Sequence, residues 1–525
     1  MPRLRLRPSR RTLARGAAAA ASGLALSLAY APFDLGPIAL VALIPLLWVW
    51  RDARWLEAAA LGYIAGLAFF AVSVSWVVNV GVVAVPGLVA GQALYWGVVG
   101  ALVGLMTRLR VRSPWTIAAA WVILEAARGS FPLGGLAWNE VGMSLHDLPA
   151  ARALATVGGV PLVSFLVVAL NGFLADGLAA GRSLRVAGDG WGAGLWPLAA
   201  AGLGVVFVAG ATVGAVVTRF DPTPTGELRY ALIQGNDQDR RLTPTEIANG
   251  YLTERHLSLA DQLEGDYDLI VFPESAFETD PETDPALRAR ITALARRHDS
   301  VVLVNAITGP ADARRNTNLA YSPDGRLIAS YSKQHLVPFG EYVPFGGWPR
   351  KLVPALEAQV PYDLVPGDET VVFPVGGHQV GTVICFESAF APLVYDSVRD
   401  GAEMIVVSTN NRSYRRSALS AQHLATSQMR AAETGRPILH SSISGITGVI
   451  DAEGNVVRTT SFFETAVVEG TVTTTTGETL TVRWGPWVVW VSLVVVGVGL
   501  VVGGVRRTMT GRSSLIGPSG TGEQA

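Results

Sequence analysis

The chain has 525 residues, 50% of them hydrophobic and only 16% charged, where a typical soluble domain has about 25% charged residues. Its mean hydropathy of +0.36 indicates a membrane protein, and its length allows several domains. The net charge of −1 leaves no basic excess, which argues against a nucleic-acid partner. The single cysteine can form no disulfide within the chain.

The N-terminal segment is rich in arginine and leads into an apolar run over 16–31. Ser9-Arg10-Arg11 and Ala29-Tyr30-Ala31 also fit a twin-arginine signal peptide with its cleavage site. A second apolar run over 38–50 follows at once, and further runs succeed it. We therefore interpret 16–31 as the first transmembrane helix rather than as a cleaved signal.

Apolar stretches recur along the chain, and most approach the ~20 residues that a transmembrane helix needs. After the first, they centre on 38–50, 57–78, 84–106, 114–127, 155–180, 192–218 and 486–505. The sequence thus predicts a membrane domain of about seven helices (1–219), a polar globular domain (220–483), an eighth helix (484–507) and a disordered Gly/Ser-rich tail (508–525).

Arginines cluster after the even-numbered spans, as at Arg51, Arg108 and Arg182, whereas the links after spans one and three have no Arg or Lys. Positively charged loops of membrane proteins face the cytoplasm. The pattern predicts that both termini are cytoplasmic and that the globular segment 220–483 lies on the outer face of the membrane.

Residues 220–483 alternate apolar strands with amphipathic helices, which is typical of a layered α/β fold. Pro285–Arg297 and Ser417–Thr434 have helical periodicity, and Gly435 and Pro437 end the second of them. The predicted strands are Tyr230–Gln234, Leu269–Phe272, Val301–Ala306, Val371–Val375, Gly381–Cys385, Met404–Ser408 and, with a break, Ile438–Ile450. The sequence contains no evident metal-ligand cluster or glycine-rich phosphate loop, so we expect neither a metal nor another cofactor.

Chemically useful side chains stand at or just after apolar strands in three places. Glu274 follows the strand that ends at Phe272, Lys333 precedes a second carboxylate at Glu341, and Cys385 ends its own strand. Ligands of α/β sheets gather beyond the carboxyl ends of the strands, so these side chains can converge on one site.

The three side chains suit nucleophilic catalysis. A thiol with a pKa of ~8.5 is mostly protonated at neutral pH and needs a base or a cation to become a nucleophile. Glu274 can take its proton, and Lys333 can stabilise the thiolate and then the oxyanion of a tetrahedral intermediate. Taken singly, each residue has an ordinary structural reading, since a lone cysteine on an apolar strand is usually a small buried hydrophobe.

Several motifs resemble those of the carbon–nitrogen hydrolase (nitrilase) superfamily, namely Pro273-Glu274-Ser, Lys333 with Pro338-Phe-Gly-Glu341-Tyr-Val-Pro, and Ile384-Cys385-Phe-Glu387. Others resemble the bacterial apolipoprotein N-acyltransferase family: Ala31-Pro-Phe33, Val74-Ser-Trp76, Trp121-Val-Ile-Leu-Glu125-Ala-Ala-Arg128-Gly, Val163-Ser-Phe…Asn171 and Gln422-His423…Arg430-Ala-Ala-Glu433-Thr-Gly-Arg436-Pro437. The resemblance covers roughly residues 16–505.

The resemblance implies a polytopic helical membrane domain joined to an αββα sandwich with a catalytic triad. Glu274 would be the general base and acid, Lys333 the oxyanion stabiliser and Cys385 the nucleophile, with Glu341 and Glu387 in support. The implied reaction passes an acyl chain from a membrane phospholipid to Cys385 as a thioester. The acyl group is then transferred from Cys385 to the N-terminal amine of a diacylglyceryl-cysteine lipoprotein. The reaction would take place at the inner or plasma membrane of a bacterial cell.

The chain departs from the family pattern in three places. Phe386 stands where the family often has Tyr, which removes a hydroxyl beside the nucleophile, and we include it among the supporting residues. Asp-Gln-Asp-Arg-Arg follows Asn236 where an aromatic residue is expected, and Ser408–Tyr414 replaces the usual Asn-Asp-Ala-Trp-Phe pattern. These differences concern substrate contacts rather than the triad.

The segment between Lys333 and Cys385 combines aromatic residues with basic ones. Such segments bind at membrane–water interfaces, although core packing of a long loop would also use aromatic residues. We expect lipid or substrate contacts from four of its side chains, which are Phe339, Tyr342, Phe345 and Trp348.

Two other functions would use some of the same features. A membrane-anchored nitrilase-type amidase of small amides shares the triad but leaves most of the helices unexplained. A non-catalytic scaffold or transporter would explain the helices, but the spans carry few ionisable residues to line a pathway, and all three triad residue types are present.

Overall fold

The computed structural model describes residues 9–513 except 83, 187–190, 237–242, 244 and 247–249. A bundle of apolar helices is followed by an α/β domain made of two sheets, and a last helix packs back against the bundle. The Asp-Gln-Asp-Arg-Arg segment and the end of the predicted tail, 514–525, lie outside the described residues.

Each apolar stretch predicted as a span forms helix. The helices of the bundle are α1 (Arg10–Ser27), α2 (Ala39–Ala42), α3 (Ile44–Trp50), α4 (Trp55–Ser73), α5 (Ala84–Arg108), α6 (Pro114–Arg128), α7 (Pro149–Val186) and α8 (Trp191–Val217). Within the described residues, five helices are long and apolar enough to cross a membrane: α4, α5, α7, α8 and, after the α/β domain, Trp487–Ser513. The count of eight spans stays a prediction.

The last helix continues past the predicted start of the disordered tail at 508. Its described residues run to Ser513, and no proline between Thr508 and Ser513 interrupts the helical hydrogen bonds.

In its described residues the α/β domain has twelve strands, arranged in two six-stranded sheets. The strands are β1 (Thr223–Gln234), β2 (Leu269–Val271), β3 (Val301–Thr308), β4 (Arg315–Tyr321), β5 (Leu327–Ser332), β6 (Val372–Val375), β7 (His378–Ile384), β8 (Met404–Thr409), β9 (Ile438–Ser442), β10 (Gly448–Ile450), β11 (Val456–Thr459) and β12 (Ala466–Thr476). Their order is β12-β1-β2-β3-β4-β5 in the first sheet and β11-β10-β9-β8-β7-β6 in the second.

The two sheets pack face to face, and helices cover their outer faces. Side chains alternate along β1, so that Tyr230 and Leu232 lie between the sheets while Ala231 and Ile233 face the helices. The helices of this domain are α9 (Tyr251–Ala260), α10 (Pro285–His298), α11 (Trp348–Leu352), α12 (Ala355–Gln359), α13 (Ala391–Arg399), α14 (Leu419–Thr434) and α15 (Leu480–Trp484), and the last helix, Trp487–Ser513, is α16. The predicted αββα sandwich on a helical membrane domain is confirmed.

Helix α14 lies between the second sheet and the bundle and is buried along nearly its whole length. The side-chain oxygen of Gln422 accepts hydrogen bonds from the indoles of Trp76 (3.1 Å) and Trp138 (2.8 Å). Its amide nitrogen donates to the backbone carbonyls of Ala31 (2.9 Å) and Ser73 (3.1 Å). One side chain thus ties the α/β domain to the ends of α1 and α4.

Glu433 makes the second attachment, at a break in α7. The backbone of α7 is non-helical at Gly158 and Gly159, and the N–H of Val160 donates to Glu433 Oε1 at 2.7 Å. Glu433 also pairs with Arg430 at 2.7 Å, and both side chains are almost fully buried. The carboxylate therefore caps the second half of a membrane helix while it neutralises a buried arginine.

His146 makes the third attachment. Its Nε2 lies 3.0 Å from Asp34 Oδ1, and its Nδ1 lies 2.9 Å from Gln428 Oε1 and 3.2 Å from Asp147 Oδ1. Both ring nitrogens face oxygen acceptors, so the ring is doubly protonated. Burial by itself lowers the pKa of His146, but the hydrogen bonds to Asp147 and Asp34 raise the pKa to about 9.

Replacing Glu433 by Ala should lower the free energy of unfolding by about 3–5 kcal/mol, because the Arg430 charge would stay buried without its partner. The measurement is thermal and denaturant unfolding of the purified full-length protein in detergent. Glu264→Ala, at an exposed carboxylate, is the matched control and should change stability by less than about 0.5 kcal/mol. Equal losses in the two variants would contradict the role of Glu433.

Stability should also fall as the pH rises through the pKa of His146. Because the folded state raises this pKa from 6.5 to about 9, the contribution of the charged ring is complete below pH 6.5 and is lost as the pH passes 9. Melting temperatures measured across this range should decline for the wild type, and His146→Gln should flatten the decline. A decline of the same size in His146→Gln would exclude His146 as its source.

Candidate active site

Cys385 begins a tight turn directly after β7, where the chain leaves the sheet as the 3₁₀ segment Cys385–Ala389. Its backbone φ is +54°, a conformation that few residues other than glycine adopt. The residue as a whole is partly exposed although its sulfur is buried, and residues held in such strained turns often belong to functional sites.

Lys333 lies just after β5 and is held between two carboxylates. Its Nζ is 3.3 Å from Glu274 Oε1 and 3.0 Å from Glu341 Oε1, and only 1% of its side chain is exposed. Asn316 Nδ2 donates to the same two oxygens, at 2.7 and 2.9 Å. The ammonium and the amide thus fix the distance between the two carboxylates.

The end of β8 completes the group. The backbone N–H of Asn410 donates to Glu274 Oε2 at 2.8 Å, and the Thr409 hydroxyl lies 3.2 Å from Cys385 Sγ. The carboxyl ends of β2, β5, β7 and β8 therefore converge, as expected from the strand-end positions of Glu274, Lys333 and Cys385.

The electrostatics of this group keep the thiol protonated at rest. Burial, and then the charge of Glu274, raise the pKa of the Cys385 thiol to about 12, against the opposing effects of Lys333 and Thr409. Burial by itself lowers the pKa of the Lys333 ammonium, but Glu274 and Glu341 raise it well above its ordinary value. Lys333 is therefore charged, and the sulfur needs a base before it can react.

Glu387 has a different place from the other carboxylates. Its Oε1 accepts from the backbone N–H groups of Gln334 (2.6 Å) and His335 (3.0 Å). Its Oε2 accepts from the N–H of Ile384 (2.7 Å) and the hydroxyl of Tyr331 (2.9 Å). Glu387 thus ties the loop after Lys333 to the turn of Cys385, and its supporting role in catalysis stays a prediction.

Phe386 faces the membrane bundle. Its ring centroid is 5.9 Å from that of Trp138 and 5.0 Å from that of Phe390. His335 stacks on Phe390 at 3.5 Å and closely approaches Gly134 of the bundle, where an added Cβ would lie 2.8 Å from the imidazole. The turn that carries the nucleophile is therefore packed directly against the membrane domain.

The four aromatic candidates of the long loop divide into two pairs. Phe345 and Trp348 are 61% and 53% exposed, whereas Phe339 and Tyr342 are partly buried and joined through their backbones at 2.7 Å. Arg350, which the sequence places beside them, binds Asp363 at 2.7 Å. The exposed pair alone presents a large apolar surface.

Sequence reasoning missed several polar residues of the site. Asn305 Nδ2 donates to Asn316 (2.8 Å) and Asn318 (3.0 Å), while its oxygen accepts from the N–H of Ser275, next to Glu274. The only signal in the sequence is the alternation of Asn316 and Asn318, which places both side chains on one face of β4.

One group of side chains with metal-ligand spacing occurs among the described residues, away from Cys385. It consists of Asp34, His146 and Asp147, whose ligand atoms lie within 4.8 Å of one another. The doubly protonated ring of His146 has no lone pair to offer, so these residues do not fit a metal in this state.

Family models match both parts of the chain. Residues 22–173 match the apolipoprotein N-acyltransferase N-terminal domain, and residues 231–480 match the carbon-nitrogen hydrolase family. Among solved structures, a CN-hydrolase superfamily protein from Xanthomonas campestris is 19% identical, with a TM-score of 0.37, over 47% of this chain and 91% of that chain.

Curated relatives match nearly the whole chain. The apolipoprotein N-acyltransferase of Geobacter metallireducens is 30% identical over 89% of this chain and 91% of its own length. That of Vibrio cholerae is 30% identical over 92% and 96%, and that of Gloeobacter violaceus 32% identical over 96% of each. The chain therefore belongs to the apolipoprotein N-acyltransferase family.

Proposed function

We propose that this enzyme moves a fatty acyl chain from a membrane phospholipid, through a thioester on Cys385, to the N-terminal amine of a diacylglyceryl-cysteine lipoprotein. The observation that carries the chemistry is the buried group of Glu274, Lys333 and Glu341 beside the only cysteine of the chain. A small-amide hydrolase would use the same groups, but it would not account for the match of 22–173 to the N-terminal domain of this family.

In the first half-reaction, Cys385 Sγ attacks the ester carbonyl of the phospholipid while Glu274 takes the thiol proton. Because the pKa of the thiol is about 12, the sulfur becomes nucleophilic only as this proton leaves. Lys333 stabilises the oxyanion of the tetrahedral intermediate. The intermediate collapses to the thioester, and Glu274 returns the proton to the oxygen of the departing lysophospholipid.

In the second half-reaction, the amine of the lipoprotein attacks the thioester carbonyl. Glu274 accepts a proton from the attacking nitrogen, and Lys333 again stabilises the oxyanion. The carbon–sulfur bond breaks, the amide is released, and the proton returns to the sulfur. The acyl donor and the acceptor thus react one after the other at Cys385, which is a ping-pong mechanism.

The residues around the triad support this mechanism because they fix the positions of Glu274, Lys333 and Cys385 by hydrogen bonds. Glu341 and Asn316 keep Lys333 and Glu274 at a constant separation. Glu387 joins the loops that carry Lys333 and Cys385. These hydrogen bonds make the site rigid before substrate binds, as electrostatic stabilisation of an oxyanion requires.

The position of the site against the bundle suits lipid substrates. Each buried CH₂ group is worth about 0.8 kcal/mol, so a chain of about sixteen carbons stays in the bilayer, and the enzyme has to act at its surface. Phe386 packs on Trp138 of the membrane domain, and Phe345 and Trp348 present apolar rings outward. We assign the exposed pair to contact with lipid.

The same proposal includes the division into domains. The membrane segments are 1–219 and 484–507, and the catalytic domain, 220–483, lies on the outer face of the membrane. Arg51 and Arg112 both pair with Asp176, at 2.5 and 3.0 Å, at one end of the bundle. The α/β domain contacts the other end, through Gln422 and the carbonyl of Ser73. The arginine-rich end, together with both termini, would face the cytoplasm.

Reporter fusions test this orientation. Green fluorescent protein at the C-terminus should fluoresce, because it folds in the cytoplasm, and alkaline phosphatase fused after residue 219 should be active, because it folds outside. The reverse pattern would overturn the orientation without touching the chemistry.

Replacing Cys385 by Ala should abolish the acyl-enzyme and the transfer, and Glu274→Gln should slow both half-reactions by about 10²–10⁴-fold. Incubation with phospholipid followed by intact mass should show one added acyl mass on the wild type and none on Cys385→Ala. Transfer to a diacylated lipopeptide measures the complete reaction. Glu264→Ala is the control, and an unchanged transfer rate in Cys385→Ala would refute the assignment.

A further inference from the structure

The Thr409 hydroxyl at the end of β8 lies beside three groups that can accept its hydrogen. Its Oγ1 is 3.2 Å from Cys385 Sγ, 3.3 Å from His423 Nδ1 and 3.4 Å from Asn411 Oδ1. A threonine hydroxyl has one hydrogen to donate, so its neighbours decide which of the three receives it.

The imidazole of His423 is neutral, and its hydrogen is on Nε2. This nitrogen lies 2.9 Å from the backbone carbonyl oxygen of Cys385, which can only accept, and 3.0 Å from Ser388 Oγ. Burial lowers the pKa of His423 to about 4, so the ring carries no second hydrogen at neutral pH. Nδ1 therefore has a lone pair and needs a donor.

Asn411 is the donor that Nδ1 needs. In the orientation of the structure, the side-chain oxygen of Asn411 lies 3.2 Å from His423 Nδ1, so two acceptors face each other. The side-chain nitrogen of Asn411, Nδ2, is buried without a hydrogen-bond partner among the described residues. Flipping the Asn411 amide by 180° removes the contact between two acceptors and gives Nδ2 its partners, because Nδ2 then donates to His423 Nδ1 and to Thr409 Oγ1. The acceptor capacity of His423 is then satisfied.

We propose that Thr409 is a further catalytic residue, whose hydroxyl donates its hydrogen bond to the Cys385 sulfur while Asn411 and His423 hold it in that orientation. With Asn411 donating to both Thr409 and His423, the sulfur is the only one of the three neighbours left to accept the Thr409 hydrogen. The inference rests on the proposed function, since it takes Cys385 as the nucleophile.

The donor is useful because burial and the charge of Glu274 disfavour negative charge on the sulfur more strongly than Lys333 and the backbone N–H of Asn410 favour it. The charge of Lys333 is shared between Glu274 and Glu341, and the sulfur is buried close to a carboxylate. A hydroxyl dipole directed at sulfur lowers the free energy of the thiolate as Glu274 removes the proton. It does so again when the thiolate leaves the thioester in the second half-reaction.

The test uses the fact that Cys385 is the only cysteine, so alkylation by iodoacetamide, followed by intact mass, reports on this sulfur alone. At a fixed pH below the pKa of the thiol, the alkylation rate is proportional to the thiolate fraction. In the full-length protein, Thr409→Val should lower this rate and the rate of acyl-enzyme formation by about 10–100-fold. Thr409→Ser should keep both close to the wild type.

Two further variants separate this role from folding. Asn411→Ala should also slow alkylation, because the Thr409 hydroxyl would then turn toward Nδ1 of His423. Thr434→Val, at a buried threonine that bonds only to the backbone of its own helix, should leave the pH profile of alkylation unchanged.

An alkylation profile of Thr409→Val equal to that of the wild type would overturn the inference, even if acyl transfer slowed, since the residue would then act only through packing. A loss in Thr409→Ser equal to that in Thr409→Val would overturn it as well. Acyl transfer that persists in Cys385→Ala would refute the proposed function instead, and this separate measurement distinguishes the two failures.

Discussion

The position of the nucleophile relative to the membrane depends on one buried helix, α14. Through Gln422 and Glu433 it binds backbone and indole groups of the membrane bundle, and through His423 it binds the carbonyl of Cys385. Buried polar groups of this kind are costly unless every partner is in place. The same hydrogen bonds that dock the two domains therefore also fix the turn on which acyl transfer depends.

The charges of the site serve control as well as catalysis. One ammonium, on Lys333, is held between two carboxylates, so the group has no surplus of positive charge to ionise the sulfur. The thiol is thus protonated at rest, and it needs a base before it can react. Such a site avoids a permanently reactive thiolate. Each hydrogen-bond donor near the sulfur therefore has a large effect on the thiolate fraction.

The strands that could be predicted from the sequence are those whose buried side chains are apolar. β2 and β8 are apolar runs, and both were predicted close to their observed bounds. β7 begins earlier than predicted, at His378, and ends at Ile384, so that Cys385 stands just after the strand rather than at its end. By contrast, β4, β5, β11 and β12 were missed. The buried faces of β4 and β12 carry Asn316, Asn318 and threonines, and hydrophobic periodicity does not detect polar side chains that are buried in a hydrogen-bond network.

The sequence by itself determined the apolar helices and the layered α/β domain, and it singled out Glu274, Lys333 and Cys385 as candidate site residues, because hydrophobic runs and strand-end positions are local properties of the chain. Only the tertiary structure decided that Glu387 braces two loops, that Asn316 bridges two carboxylates and that Thr409 meets the sulfur. These contacts join residues that are distant in sequence, and they exist only where the strand ends converge.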